Sequence, residues 1–287
     1  MTDVADRRWR LIRDEPRPGP VQMALEEVAI EAACERNLRT VRVYDWQRST
    51  LSLGYRQDPE TVDWDYCDRH GICVTRRQTG GGGIYHDRYG DISYTIVSPT
   101  EEVPGDLMDC YALFCDPILE GLSQLGVEGQ FASEPQEAIY EPSCYLRDVH
   151  PAHDVVVPGE DGERKLSGNA QYRRCDAVIQ HGSITYERVS DHHVGVFATD
   201  EISPDRFGRR VTSVSEEAEV DRETAVDVLA DALGAWCDAE VGEWTADELE
   251  RAHELAERKY GADGWIRERT DPSVDEPASG EADPSHS

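Results

Sequence analysis

The stretch GICVTRRQTGGGGIYHDRYGDISYTIVS, residues 71–98, decides how the rest of the chain is read. Two runs rich in Ile, Val, Thr and Tyr have strand propensity and flank Gly80, Gly81, Gly82 and Gly83. Four successive glycines forfeit side-chain packing and carry a large ordering entropy, so the backbone here must approach something closely. Side chains alternate along a strand, so only one of Arg76 and Arg77 should face the contents of the loop. The run has neither the Lys-Ser/Thr that closes a phosphate-binding loop nor a GxGxxG spacing that opens a helix, and neither nucleotide motif fits.

Upstream, Trp9–Ile12 reads as a short strand, and Val21 to about Glu35 as an amphipathic helix with acids on the face away from its apolar side. Residues 40–46 and 50–54 alternate as strands, and a short acidic helix is expected near 59–69. Downstream, 104–126 has helical periodicity with Pro117 inside it, and 130–143 should be irregular. Strands are expected at 154–157, from Lys165 through Ala170, and at 177–185, with helices at 221–240 and 245–260. This order gives an α+β fold, a mixed β-sheet flanked by helices. The expected division is one catalytic domain over 1–266, its C-terminal end helical from 221, and a disordered acidic tail over 267–287.

A net charge of −30, from 59 acidic and 29 basic residues spread along the chain, disfavours nucleic acid and anionic membrane as partners. Such a surface suits a high-salt cytoplasm, where ions screen repulsion. With no long apolar run and no secretion signal, a cytoplasmic location is expected. The eight cysteines form no CxxC pair and read as free thiols, most of them small core residues.

Only Lys165 and Lys259 are lysine in a chain that otherwise uses arginine. Lys165 sits in a Lys-Leu-Ser-Gly context, where a compact ammonium can donate to a small target that a planar guanidinium would not fit. Cys144 is its natural companion. Only ~3% of an ordinary thiol is thiolate near neutral pH. An ammonium ~4 Å away, worth up to about 4 kcal/mol at an effective dielectric near 20, would make thiolate a major species. His150 and His153 follow Cys144 at a spacing that matches no strong zinc signature, and no metal site is expected. A buried structural Cys144 and a purely structural glycine turn are the plain alternatives.

The segments WRLI with MALEEVAIE (9–31), TLSLGYRQ (50–57), RRQTGGGGIYHD (76–87), KLSGNAQYR (165–173), IQHGSI (179–184) and KYGADGW (259–265) resemble the lipoate–protein ligase and octanoyltransferase superfamily, whose catalytic domain is shared with biotin protein ligases. The resemblance implies that Arg77, Thr79, Gly80, Gly81, Gly82, Gly83 and His86 line an acyl tunnel. It implies too that Lys165 contacts the reacting carbonyl, and that Ser167, Gly168, Asn169, Ala170, His181 and Gly182 complete the pocket. Gly83 stands where relatives often have alanine, which implies an altered tunnel width. A cysteine about twenty residues before the lysine, as Cys144 is, resembles the LipM-like octanoyltransferases and the amidotransferases that act without ATP.

The implied activity is transfer of an octanoyl or lipoyl group, through a Cys144 thioester, to a lysine of lipoyl-domain proteins such as the glycine cleavage H protein or a 2-oxoacid dehydrogenase E2. The donor would be an acyl carrier protein or another acylated protein, and no cofactor is required. Two alternatives stand beside it. One is an ATP- and magnesium-dependent lipoate ligase acting through lipoyl-AMP, which in archaea can keep its accessory domain on a separate chain. The other is a non-catalytic acyl-binding paralogue.

Overall fold

A computed structural model describes residues 4–133, 135–151, 153–159 and 162–272. Among the described residues, eleven strands form two sheets. Strands β1 (Trp9–Arg13), β2 (Arg39–Tyr44), β6 (Asp91–Pro99), β7 (Gln130–Phe131), β8 (Asp154–Val157), β9 (Arg164–Arg174), β10 (Ala177–Thr185) and β11 (Glu240–Val241) make an eight-stranded sheet in the order β11-β1-β2-β6-β10-β9-β8-β7. Strands β3 (Thr50–Leu53), β4 (Cys73–Arg76) and β5 (Ile84–His86) make a small sheet ordered β4-β3-β5. Both are mixed: β1 runs parallel to β2 and β11, β3 runs parallel to β4, and the other pairs are antiparallel.

The large sheet has helices on both faces. On one, α3 (Leu107–Gln124) and α7 (Arg222–Cys237) bury Phe114, Ile118, Leu229 and Leu233 against Trp9, Val41, Ile96 and Ile184. On the other, α1 (Gly19–Arg36) and α8 (Ala246–Leu255) pack over Ile12, Val97 and Ile179. The remaining helices are α2 (Trp64–His70), α4 (Ser190–Gly195), α5 (Pro204–Arg210), α6 (Val214–Glu217) and α9 (Asp263–Glu268). The run α4 to α6 is too short for a helical period to show in the sequence.

Two expectations change. Helix α1 starts with proline in its first turn and stops at Asn37, which takes a left-handed conformation at φ 53°. It is covered on both sides, by the sheet and by α8, so Glu26 and Glu27 are buried instead of solvated. The C-terminal boundary also moves. Helix α8 opens with a capping box of Thr245 and Glu248, passes through one π-helical turn (Ala256–Tyr260), and leads to α9, beyond the expected end at 266. Asp271 is 2.8 Å from the Lys259 ammonium, so 267–272 is part of the folded body; the rest of the expected tail, 273–287, lies outside the described residues.

All eight cysteines are free, but only Cys67, Cys110, Cys115 and Cys237 are buried, fewer than expected. Among the described residues no helix is long and apolar enough to cross a membrane.

Candidate active site

The loop between β4 and β5 is held from inside by Arg77. Its buried guanidinium donates to the Ser52 carbonyl (2.7 Å), to the Gly80 and Gly82 carbonyls (2.8 and 2.6 Å) and to the Thr79 hydroxyl (3.0 Å). Burial lowers its pKa below the ordinary guanidinium value. Gly81 at φ 93° occupies a backbone region that favours glycine. As strand alternation requires, Arg76 points the other way. It donates to the carbonyls of Gly54 (2.7 Å), Gln57 (2.8 Å) and Ile266 (2.8 Å), and burial brings its pKa down to about 10. Trp265 donates back to the Arg76 carbonyl at 2.8 Å, so α9 braces the strand that launches the loop.

What the glycines approach is the segment carrying Cys144. The Gly83 amide donates to the Pro142 carbonyl (2.7 Å), and the Cys144 amide donates to the Gly83 carbonyl (2.9 Å). A Cβ on Gly82 would lie 2.8 Å from both the Cys144 nitrogen and the Pro142 oxygen, a contact that only a bare backbone permits. Cys144 then opens a short 3-10 turn (Cys144–Leu146) anchored by the buried Tyr145 and Leu146.

Strand β9 supplies the partner. A Cβ on Gly168 would lie 3.1 Å from the Cys144 sulfur and 3.4 and 3.6 Å from Cε and Nζ of Lys165, so thiol and ammonium share the space that a side chain on this glycine would fill. Lys165 is 3% exposed, 2.5 Å from the Asp154 carboxylate, and donates to the Cys144 carbonyl at 3.2 Å. Burial alone would lower its pKa, but the charge of Asp154, with Cys144 adding to it, raises it above the ordinary value. Two of its three protons are engaged in these bonds, which leaves one, among the described residues, for the shared space.

From this point a cavity runs along β9 and β10. Its walls are Met23, Tyr44, Trp46 and Ile84, the backbone of Gly80 and Gly81, the strand residues Gly168, Asn169, Ala170 and Gly182, and two imidazoles. His86 bonds the Asp91 carboxylate (3.1 Å) and the Ser52 hydroxyl (2.9 Å), and its ring stacks on Trp46 at 4.2 Å. His181 bonds Glu26 (2.9 Å) and the Thr79 hydroxyl (2.8 Å). With both nitrogens taken, each ring is a fixed wall. Burial would raise the pKa of Glu26 and of Asp91, yet His181 and His86 respectively hold each carboxyl below its ordinary value. An elongated, largely apolar cavity with a thiol and an ammonium at one end can seat an acyl chain and place its carbonyl between them.

The sequence profile of the lipoyl protein ligase A/B catalytic domain matches residues 18–234. The chain belongs to that family. It is 31% identical over 277 residues to the octanoyltransferase LipM of Kyrpidia tusciae, a match covering 90% of this chain and 97% of that one. It is 28% identical over 279 residues to the octanoyltransferase LipM of Bacillus subtilis, covering 91% and 98%. The fold resembles the bi-partite lipoate protein ligase of Thermoplasma acidophilum (TM-score 0.73, 22% identity, 91% of this chain and 96% of that one). It also resembles a lipoate-protein ligase A bound with ATP (TM-score 0.74, 23% identity, 91% and 99%).

In this family member the residues expected at the site divide into three groups. Cys144, Lys165, Gly168, Gly80, Gly81, His86, Ala170, His181 and Gly182 meet at the cavity or at its reactive end. Arg77 reaches the cavity while its polar atoms are spent on the loop carbonyls, and Thr79 stands behind His181. Asn169 contributes to the wall, and its side chain bonds the Tyr94 hydroxyl (2.6 Å) and the His153 carbonyl (2.6 Å).

Gly82, Gly83 and Ser167 are not wall residues. The first two back onto the cysteine segment, and Ser167 pairs with Ile184, whose side chain belongs to the core under α3 and α7. The tunnel width expected to depend on Gly83 therefore does not: a Cβ there would point at Gln57 and Phe197, 3.0 Å away. Residues not expected in the site are Met23, Glu26, Tyr44, Trp46, Ser52, Ile84, Asp91 and Ser183, with Asp154 as the partner of Lys165. Two adjacent glutamates, the eighth and ninth residues of a helix rich in apolar residues, are the one available signal for Glu26 and its neighbour.

Proposed function

We propose that this acyltransferase moves an octanoyl group from a carrier-protein thioester to a lysine amine of a lipoyl domain by way of a thioester on Cys144. The observation that carries this reading is the convergence of Cys144 and Lys165 on Gly168 at the end of an apolar cavity, where a Cβ on the glycine would lie 3.1 Å from the sulfur and 3.6 Å from the ammonium nitrogen. In the first half-reaction the Cys144 thiolate attacks the acyl carbonyl, the donor's carbon–sulfur bond breaks, and the donor leaves as a thiolate that takes a proton from solvent. In the second, the acceptor amine attacks the Cys144 thioester. An amide forms, the amine loses a proton, and the thiolate is restored. The uncommitted proton of Lys165 meets the oxyanion that develops in both steps, and Asp154 keeps the ammonium charged and aimed.

The relatives named octanoyltransferase support the acyl group and the transferase class. This reaction needs no cofactor. Lipoyl-domain proteins such as the glycine cleavage H protein and dehydrogenase E2 are the acceptors this reading implies, their target lysine meeting the acyl group at the Cys144 end of the cavity.

The test is intact mass after incubation with octanoyl-carrier protein, without acceptor and without ATP. An acyl adduct should form on the native protein and be absent from Cys144→Ala. Full transfer activity in Cys144→Ala, or activity only with free lipoate, ATP and magnesium, overturns the thioester route in favour of acyl-adenylate chemistry.

A further inference from the structure

The acyl cavity has a neighbour at the end away from Cys144. A second, smaller cavity is bounded by Ile30, Gln78, Tyr172, Ile179 and Tyr260. Cross-strand register orders the two along one face of the β9/β10 ladder, with Gly168 opposite Ser183, Ala170 opposite His181, and Tyr172 opposite Ile179. Same-face residues recur at every second position, so these rows are about 7 Å apart. The first row touches Cys144 and Lys165, the second bounds the acyl cavity, and the third bounds its neighbour.

Of the residues lining these cavities, Met23 alone lines both. The rest of the partition is His181, locked between Glu26 and Thr79, which themselves face the second cavity. Met23 is 3% exposed, and its unbranched thioether is held only by packing. Gln78, Tyr260 and Glu26 beyond it are already paired. Gln78 donates to the Tyr260 hydroxyl at 2.6 Å, Tyr260 donates to Glu27 at 2.7 Å, and Glu26 is taken by His181. An acyl chain reaching that far would strip none of these groups of its partner.

We propose that Met23 is the chain-length stop of the acyl site, and that the space behind it is a latent subsite for the distal carbons of longer saturated acyl chains. This rests on the reading that the first cavity holds the acyl chain. Met23→Ala removes the atoms between the two cavities, and Met23→Phe fills the end of the first. Each variant is measured in two ways: Cys144 acylation by mass with hexanoyl-, octanoyl- and dodecanoyl-carrier protein, and calorimetric binding of the corresponding free acids.

A methylene accommodated or refused in such a pocket discriminates about tenfold or more. Met23→Ala should therefore raise the dodecanoyl-to-octanoyl preference by at least about tenfold, and Met23→Phe should move the optimum to hexanoyl. Preferences within about twofold of the native protein in both variants would overturn the proposal. Free acids that bind with these shifts while no chain length acylates Cys144 would leave the stop standing and remove the thioester reading. Free acids whose binding is the same in the native protein and both variants, with no acylation of Cys144 at any chain length, would remove both.

Discussion

The glycine loop and the segment carrying Cys144 meet at one line of backbone, Gly82–Gly83 against Pro142–Cys144, but they are held by opposite means. The loop is fixed from within: one guanidinium gathers the carbonyls of Ser52, Gly80 and Gly82. The cysteine segment has almost no regular structure and is fixed at its margins. A bridge pairs Gln136 with Val149, the amides of Ile139 and Tyr140 converge on the Leu146 carbonyl (2.6 and 3.0 Å), and Asp154 ties its end to Lys165. A wall can thus be rigid while the nucleophile is positioned by docking against it. The catalytic geometry then depends on what happens at the margins and at the contact line more than on the loop's own packing.

The margin is where the largest effect is expected. Asp154→Ala leaves the Lys165 ammonium buried without its carboxylate, and breaking such a pair costs about 3–5 kcal/mol. Chemical denaturation should show a loss of that size, together with a slower first half-reaction. A loss below about 1 kcal/mol would mean that the cysteine segment is anchored elsewhere.

The contact line comes next. Gly82→Ala places a methyl 2.8 Å from two backbone atoms that cannot swing aside, so the Cys144 segment must move away from the loop. A displacement of this order costs roughly a hundredfold in rate, equivalent to about 2.7 kcal/mol of barrier. Gly80→Ala is the internal control for stability, because a Cβ at Gly80 meets nothing within 4 Å. If kcat/KM of Gly82→Ala stays within about threefold of native, docking against the loop does not set the position of the thiol.

The same contrast explains what could be read from the sequence. The loop was legible because four glycines and two arginines are local signals, and strand alternation correctly separated the directions of Arg76 and Arg77. Cys144 and Lys165 stood out because lysine is nearly absent from the chain. Partnerships across long sequence separations were not legible. Periodicity placed Glu26 and Glu27 on a solvated face, whereas His181, Arg174 and Lys259, each more than a hundred residues away, accept them in the interior. Asp91 was hidden for the same reason: its role comes from His86, Trp46 and Ser183 converging on it from different strands and turns.

Gly83 offers the smallest effect and the sharpest use of the contrast. It adjoins Gly82 and shares the same backbone line, yet a Cβ there would meet only the far ends of Gln57 and Phe197, at 3.0 Å. A methyl fits there if those ends shift by a few tenths of an ångström, and the backbone of Gly83 is outside the left-handed region. Replacing a compatible glycine by alanine gains about 0.4–1 kcal/mol through the unfolded chain, which offsets the crowding. Gly83→Ala should therefore change stability by less than about 1 kcal/mol. Because its methyl would point away from the acyl cavity, it should leave chain-length preference where Met23 sets it. A shift toward shorter acyl donors in Gly83→Ala, measured beside Met23→Ala in the same mass assay, would place the width control back in the loop and take it from the helix.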